Sequence, residues 1–133
     1  EKISQNKEII LINDFGALQN YFEIVKSVFI GKSSLEKFKD VGGQNPIDAA
    51  KLGCKIYHGP YVYNFQDIYK FLKKNNISKE IRSFDELSKN IIQDIENPNK
   101  KNNRNYNLIN NLGNVTFKKT MKNVEKFLFN EIN

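Results

Sequence analysis

The chain has 133 residues, with 21 Lys and Arg against 15 Asp and Glu, a formal net charge of +6 and a pI near 9.3. Its length suits one domain or part of one, and a 39% hydrophobic content with 10 Phe and 6 Tyr is enough for a core, which excludes wholesale disorder. One cysteine and one histidine leave no basis for an internal disulfide framework, a Cys- or His-rich metal site or a Ser-His-Asp triad, and no apolar run approaches the ~20 residues of a membrane span.

In chain order, Ile9–Ile12, closed by Asn13-Asp14, reads as a strand buried on both faces. From Gly16, residues Leu18, Tyr21, Phe22 and Val25 recur at helical spacing, with Asp14 as the cap. Val28-Phe29-Ile30, closed by Gly31, reads as a second strand, and residues 32–41 as a polar loop. Gly42-Gly43 lead into Asn45-Pro46-Ile47-Asp48, a helix start with Asn at the cap, Pro first and Asp third, and Gly53 ends that helix. Lys55–His58 is the third strand, stopped by Gly59-Pro60. Asn64 then caps a helix with Phe65, Ile68, Tyr69 and Leu72 on one face. Ile77–Ile81 is the fourth strand; Ser83 to Glu86 form a capping box for a helix that Pro98 breaks. Beyond it, a loose Asn- and Lys-rich helix ends near Gly113, and a final helix sets Phe117, Met121, Val124 and Leu128 against Lys118, Lys122 and Lys126. Strands and helices alternating at this spacing predict an α/β fold with a parallel sheet of about four strands, flanked by helices and ending in two helices. Residues 1–97 form the sheet domain and 98–133 a helical extension of it.

The positive charge is not spread evenly. Residues 1–97 hold 14 basic and 13 acidic side chains, whereas residues 98–133 hold 7 and 2. With 19 Lys and only 2 Arg, the residue that reads phosphate and guanine bidentately is nearly absent, so no nucleic-acid partner is expected.

Ligands of an open parallel sheet bind beyond the carboxyl ends of its strands, an edge that here collects Asn13–Gly16, Gly31–Asn45, His58–Asn64 and Arg82-Ser83. Its most informative stretch is Gly42–Asp48. Two glycines allow close backbone approach, free amides at the helix start attract an anion such as phosphate, and Asp48 is placed to accept hydrogen bonds from ribose hydroxyls. The same residues also make an ordinary tight turn and capped helix, in which Asp48 satisfies backbone donors; spacing alone leaves both readings open. His58 ends a strand on this edge and reads more simply as structural or solvent-facing than as a ligand contact, and Cys54 as a buried filler.

Gly42-Gly43-Gln44-Asn45-Pro46-Ile47-Asp48-Ala49-Ala50, followed by Leu52-Gly53 and Gly59-Pro60-Tyr61-Val62-Tyr63-Asn64-Phe65, resembles the 3-deoxy-D-manno-octulosonic acid (Kdo) transferases. Members read Gly-Gly-His-Asn-Pro-Leu-Glu-Pro-Ala and then Gly-Pro-His-x-x-Asn-Phe. Upstream, Ile12 to Leu18 resembles their Gly-Asp-Thr-Met-Gly-Glu-Leu, and Phe29-Ile30-Gly31-Lys32-Ser33 their Phe-Val-Gly-Gly-Ser, so the resemblance covers about residues 9–97. Gln44 and Tyr61 stand where the family has His, Asp48 where it has Glu, and Ala17 where it has an acidic residue.

The resemblance implies an inverting glycosyltransferase of two Rossmann-like domains, the GT-B architecture, which moves Kdo from CMP-Kdo to a lipid A precursor in lipopolysaccharide biosynthesis. The reaction takes place without a metal or other cofactor, at the cytoplasmic face of the inner membrane of a Gram-negative bacterium. This chain is then expected to be an incomplete C-terminal, donor-binding domain. The N-terminal domain with the general base and the first strands of the sheet would be missing, and the chain alone inactive. Gly42, Gly43, Gln44 and Asn45 would hold the donor phosphate and Asp48 the ribose; Asp14, Phe15 and Gly16 would lie near the cytosine, and Asn64 and Phe65 would shape the sugar side. The lipid acceptor would be reached through the missing domain, the basic C-terminal helix could contact a membrane surface, and an unpaired sheet edge would invite self-association. Two other readings stay open: the donor domain of a GT-B enzyme that uses a UDP-sugar, and a non-catalytic α/β anion-binding module.

Overall fold

The computed structural model describes residues 9–14, 16–97 and 104–130. Three short strands, β1 (Ser27–Phe29), β2 (Lys55–His58) and β3 (Ser78–Glu80), form a parallel sheet in the order β1-β2-β3. The register pairs Val28 with Ile56 and Ile56 with Ser78, and sets His58 beside Glu80. Because side chains alternate across a strand, this register puts Val28, Ile56, His58 and Ser78 on one face and Ser27, Lys55, Tyr57 and Lys79 on the other.

The first face carries the core. The helix α2 (Ile47–Lys51) links β1 to β2, and α3 (Gln66–Lys74) links β2 to β3. Ala49 and Ala50 of α2, Tyr69 and Leu72 of α3, and Ile56 and Ile77 of the sheet pack with Cys54 and Ile30. The helix α1 (Leu18–Ile24), which precedes β1, adds Phe22 to this cluster, and α5 (Arg104–Asn130) seats its first turns on α2 through Leu108 and the buried Ile109. Small residues on α2 make the close approach of α5 possible.

The second face is covered by α4 (Phe84–Glu96), tied down by polar contacts. Asp94 accepts hydrogen bonds from the hydroxyls of Ser27 and Tyr57, both at 2.6 Å, and pairs with Lys55 at 2.9 Å, so one carboxylate joins α4 to β1 and β2. Partial burial works to raise the Asp94 carboxyl, but hydrogen bonds from Ser27, Tyr57 and Lys55 outweigh it and hold the group below its ordinary value. At the other end of α4, Ser83 caps the Glu86 amide as expected, while the Glu86 carboxylate takes the amide of Arg82 and a salt bridge from Lys79.

The α/β class and parallel sheet stand as expected, with four differences. Ile9–Ile12 is not a strand: it runs without regular structure, with Ile9 87% and Leu11 92% exposed. A strand needs a neighbouring backbone to bond, and among the described residues β1, β2 and β3 pair only with one another, so the sheet has three strands. Asp14 does not cap α1, whose N-cap is Ala17 without a side-chain bond. Asn64 does not cap α3, because a 3₁₀ turn over Tyr63–Phe65 precedes that helix and turns the Asn64 amide elsewhere. The two expected C-terminal helices are one: α5 passes through Gly113, since one interior glycine costs only about 1 kcal/mol and does not interrupt the backbone bonds on either side. The break assigned to Pro98, and the start of the extension, lie outside the described residues.

Candidate functional site

The carboxyl ends of β1 and β2 are stitched together by one side chain. Ser33 is fully buried: its hydroxyl donates to the Ile30 carbonyl at 2.6 Å and accepts from the Gly59 amide at 2.9 Å, while its own carbonyl accepts from the Tyr61 amide at 2.9 Å. Gly59 is required for this contact, because a Cβ there would be driven into the backbone of Ser33 and Ser34. Lys32, one residue before Ser33, adopts a positive φ of 64° where the resembled motif has glycine.

The loop from Asp40 to Pro46 lies over this stitch. Its entry is fixed by the amides of Val41 and Gly42, which both donate to the Phe38 carbonyl. Gly42 has a φ of 75°, and a Cβ on it would strike the Asn64 amide; Gly43 is buried against Val62 and Ser33. Three side chains of the following β2–α3 segment then hold the loop by its carbonyls. Asn64 donates to Gly43 O at 2.9 Å, the Tyr69 hydroxyl to Gln44 O at 3.1 Å, and the Tyr63 hydroxyl to Asp40 O. Burial pushes the Tyr69 hydroxyl well above its ordinary value, which keeps it a donor.

With the carbonyls occupied, the amides of this loop remain. Among the described residues, the N–H groups of Gly43, Gln44 and Asn45 donate to no protein atom. The Asn45 side chain turns back to accept from the Ile47 amide at 3.0 Å, the Asx arrangement expected of a cap one residue ahead of Pro46. Asp48 is exposed in the first turn of α2 and accepts no hydrogen bond from a described donor, so the simple reading in which it satisfies backbone groups is not what the structure shows. The helix α2 has only five residues, so attraction of an anion here rests on local amides more than on a macrodipole.

Gly42, Gly43, Gln44, Asn45, Asp48 and Asn64 therefore belong to one loop-and-helix-start assembly, with Phe65 half-buried against the core beneath it. Asp14 and Gly16 do not join it by any hydrogen bond among the described residues; both are exposed ahead of α1, and Phe15 lies outside the described residues. Sequence reasoning missed the roles of Ser33, Tyr63 and Tyr69. The signal was present for the last: a tyrosine at a helix position that a phenylalanine would fill as well implies a partner for its hydroxyl.

His58 is buried and structural. Its Nδ1 donates to the Gly59 carbonyl at 2.7 Å, its ring lies 4.3 Å from that of Tyr69, and its Nε2 is buried without a partner among the described residues. Burial holds its pKa below the ordinary value, against the opposing pull of the Gly59 carbonyl and Glu80. Across the stitch, on the α4 side, a cleft of about 420 Å³ opens between Phe29, Ser34, Tyr61, Arg82 and Phe84. No group of His, Cys, Asp and Glu able to hold a metal ion occurs among the described residues, and none of the described helices is long and apolar enough to cross a membrane.

No protein-family model matches the chain. Over 80 residues, 60% of its length, it is 28% identical to the 3-deoxy-D-manno-octulosonic acid transferase of Aquifex aeolicus (strain VF5). The match spans 22% of that relative, so the chain corresponds to about a fifth of it. The motifs at Gly42–Asp48 and Gly59–Phe65 and the wider similarity point to the same kind of protein: over this part the chain is similar to a Kdo transferase.

Proposed function

We propose that the chain is the donor-binding part of a glycosyltransferase that moves Kdo from CMP-Kdo to a lipid A precursor at the cytoplasmic face of the inner membrane. The observation that carries this reading is the run of three unbonded amides, Gly43, Gln44 and Asn45, on a loop whose carbonyls are already taken by Asn64 and Tyr69. Such a loop is preorganised for an anion, because its donors are fixed and its acceptors turned away. The similarity to the Aquifex aeolicus transferase says which anion to try first.

In the transfer, the bond between the Kdo anomeric carbon and the phosphate oxygen breaks while the acceptor hydroxyl bonds that carbon. Its proton goes to a base that this reading assigns to another part of the parent enzyme. Negative charge gathers on the departing CMP, and the three amides stabilise it; Asp48 accepts from the ribose hydroxyls. The chain alone binds the donor and does not turn it over.

Thermal unfolding with CMP, CMP-Kdo and UDP tests the reading. CMP and CMP-Kdo should raise the melting temperature, and Asp48→Ala should weaken the shift by about tenfold in ligand concentration, the loss of roughly one charge-assisted hydrogen bond. Stabilisation by UDP alone would turn the reading towards a UDP-sugar enzyme, and no nucleotide effect towards a non-catalytic module.

A further inference from the structure

The helix α5 is 27 residues long, yet only its first turns touch the body. Asn105 and Ile109 are buried, whereas every residue from Gly113 to Phe129 is exposed. This free half, about 25 Å long at 1.5 Å per residue, is sharply two-sided. At 100° per residue, Phe117, Met121, Val124, Phe127 and Leu128 fall within an arc of about 120°, and Lys118, Lys119, Lys122 and Lys126 occupy the opposite side. Phe117 and Phe127 are each 65% exposed. The apolar arc is turned by roughly a quarter of a circle from the seam that Asn105 and Ile109 make with α2, so it is not that seam running on past the end of the body.

We infer that this half of α5 is a docking face for an anionic lipid surface. Apolar area of this size on one side of a helix calls for a cover, and the charge of the segment selects it. Four lysines and one acid, Glu125, make an excess of three positive charges over residues 113–129. A second copy of the helix is the poorer cover, because the stripe runs for only about two heptads, short of the three or four that sustain a coiled coil, and its flanks would set lysine against lysine. An anionic bilayer answers both features: the phenylalanines enter the boundary between headgroups and acyl chains, and the lysines reach the headgroup phosphates with their long stems. The helix lies along the surface and does not cross it, in keeping with its low mean hydropathy. The inference does not depend on the donor reading, since none of these residues belongs to the Gly42 loop.

Flotation of the full chain with lipid vesicles tests it. Binding is expected to phosphatidylcholine vesicles that contain phosphatidylglycerol and not to phosphatidylcholine alone, and it should weaken in high salt. Phe117→Glu with Leu128→Glu should lower the partition by about tenfold or more, and Lys122→Glu with Lys126→Glu should do the same through charge. All four side chains are exposed, so both variants should keep the thermal unfolding of the parent chain. Failure of the unaltered chain to float with anionic vesicles would overturn the inference, as would equal binding by both variants. A soluble dimer dispersed by Phe117→Glu with Leu128→Glu, without vesicle binding, would overturn it in favour of a protein partner.

Discussion

Two buried serines on neighbouring strands and loops behave in opposite ways. The hydroxyl of Ser33 donates to Ile30 O and accepts from Gly59 N, whereas the hydroxyl of Ser78 is buried with no partner among the described residues. Removing a satisfied buried hydroxyl strands its partners, and removing an unsatisfied one relieves a desolvation cost. Ser33→Ala should therefore destabilise the chain by about 2 kcal/mol, and Ser78→Ala should stabilise it by about 1 kcal/mol. Urea unfolding measures both; shifts of the midpoint in the same direction would refute the hydrogen-bond account. Nothing in the composition around these residues separates them. Only the resemblance of Phe29–Ser33 to a glycine-rich strand end singled out Ser33, and the reason for it, a bridge to Gly59 from a residue 26 positions away, is a contact that a linear reading does not contain.

Elements were legible where their determinants are local. The capping box at Ser83, the Asn45-Pro46 helix start and the four-residue rhythm of Ile68, Tyr69 and Leu72 all gave the right helices, because caps and amphipathic faces are written within a few residues. Ile9–Ile12 failed because a strand is made by its neighbour, and its sequence carries no information about who that neighbour is. Asn64 failed because an asparagine amide can cap its own helix or reach across to Gly43, and the choice depends on the loop facing it. Gly113 failed because glycine is both a terminator and a tolerated interruption. In the structure it is an interior residue of α5 with open space where a Cβ would stand and no positive φ. Gly113→Ala should therefore add helical signal in far-ultraviolet circular dichroism and stabilise α5 by about 1 kcal/mol. A loss of helicity would mean that the chain turns at this position after all.

At the scale of the whole molecule, the two faces of the sheet are held by different physics. The α2–α3–α5 face is closed by apolar packing around Ile56 and Leu72, while the α4 face is held by the Asp94 carboxylate, its two hydroxyl donors and Lys55. Each face therefore has its own response to acid. His58, under α3, has its folded-state pKa lowered chiefly by burial, so the unfolded chain takes up its proton first as the pH drops below about 6.5, and stability declines from there towards the folded-state value. Asp94 also titrates lower in the folded chain than in the unfolded one, so its contribution is complete above about pH 4 and is lost as the pH falls through its folded-state value. The expected profile of unfolding free energy against pH thus has a first decline below pH 6.5 and a second below pH 4. His58→Phe should remove the first and leave the second. Asp94→Asn should lower stability at pH 7 by about 2 kcal/mol, because an uncharged amide keeps an acceptor and loses the ion pair, and should flatten the second decline while leaving the first. Unfolding by denaturant at pH 7, 5 and 3.5 for the three proteins distinguishes these outcomes. If Asp94→Asn left the acid limb as steep as before, the α4 face would owe its hold to contacts other than this carboxylate.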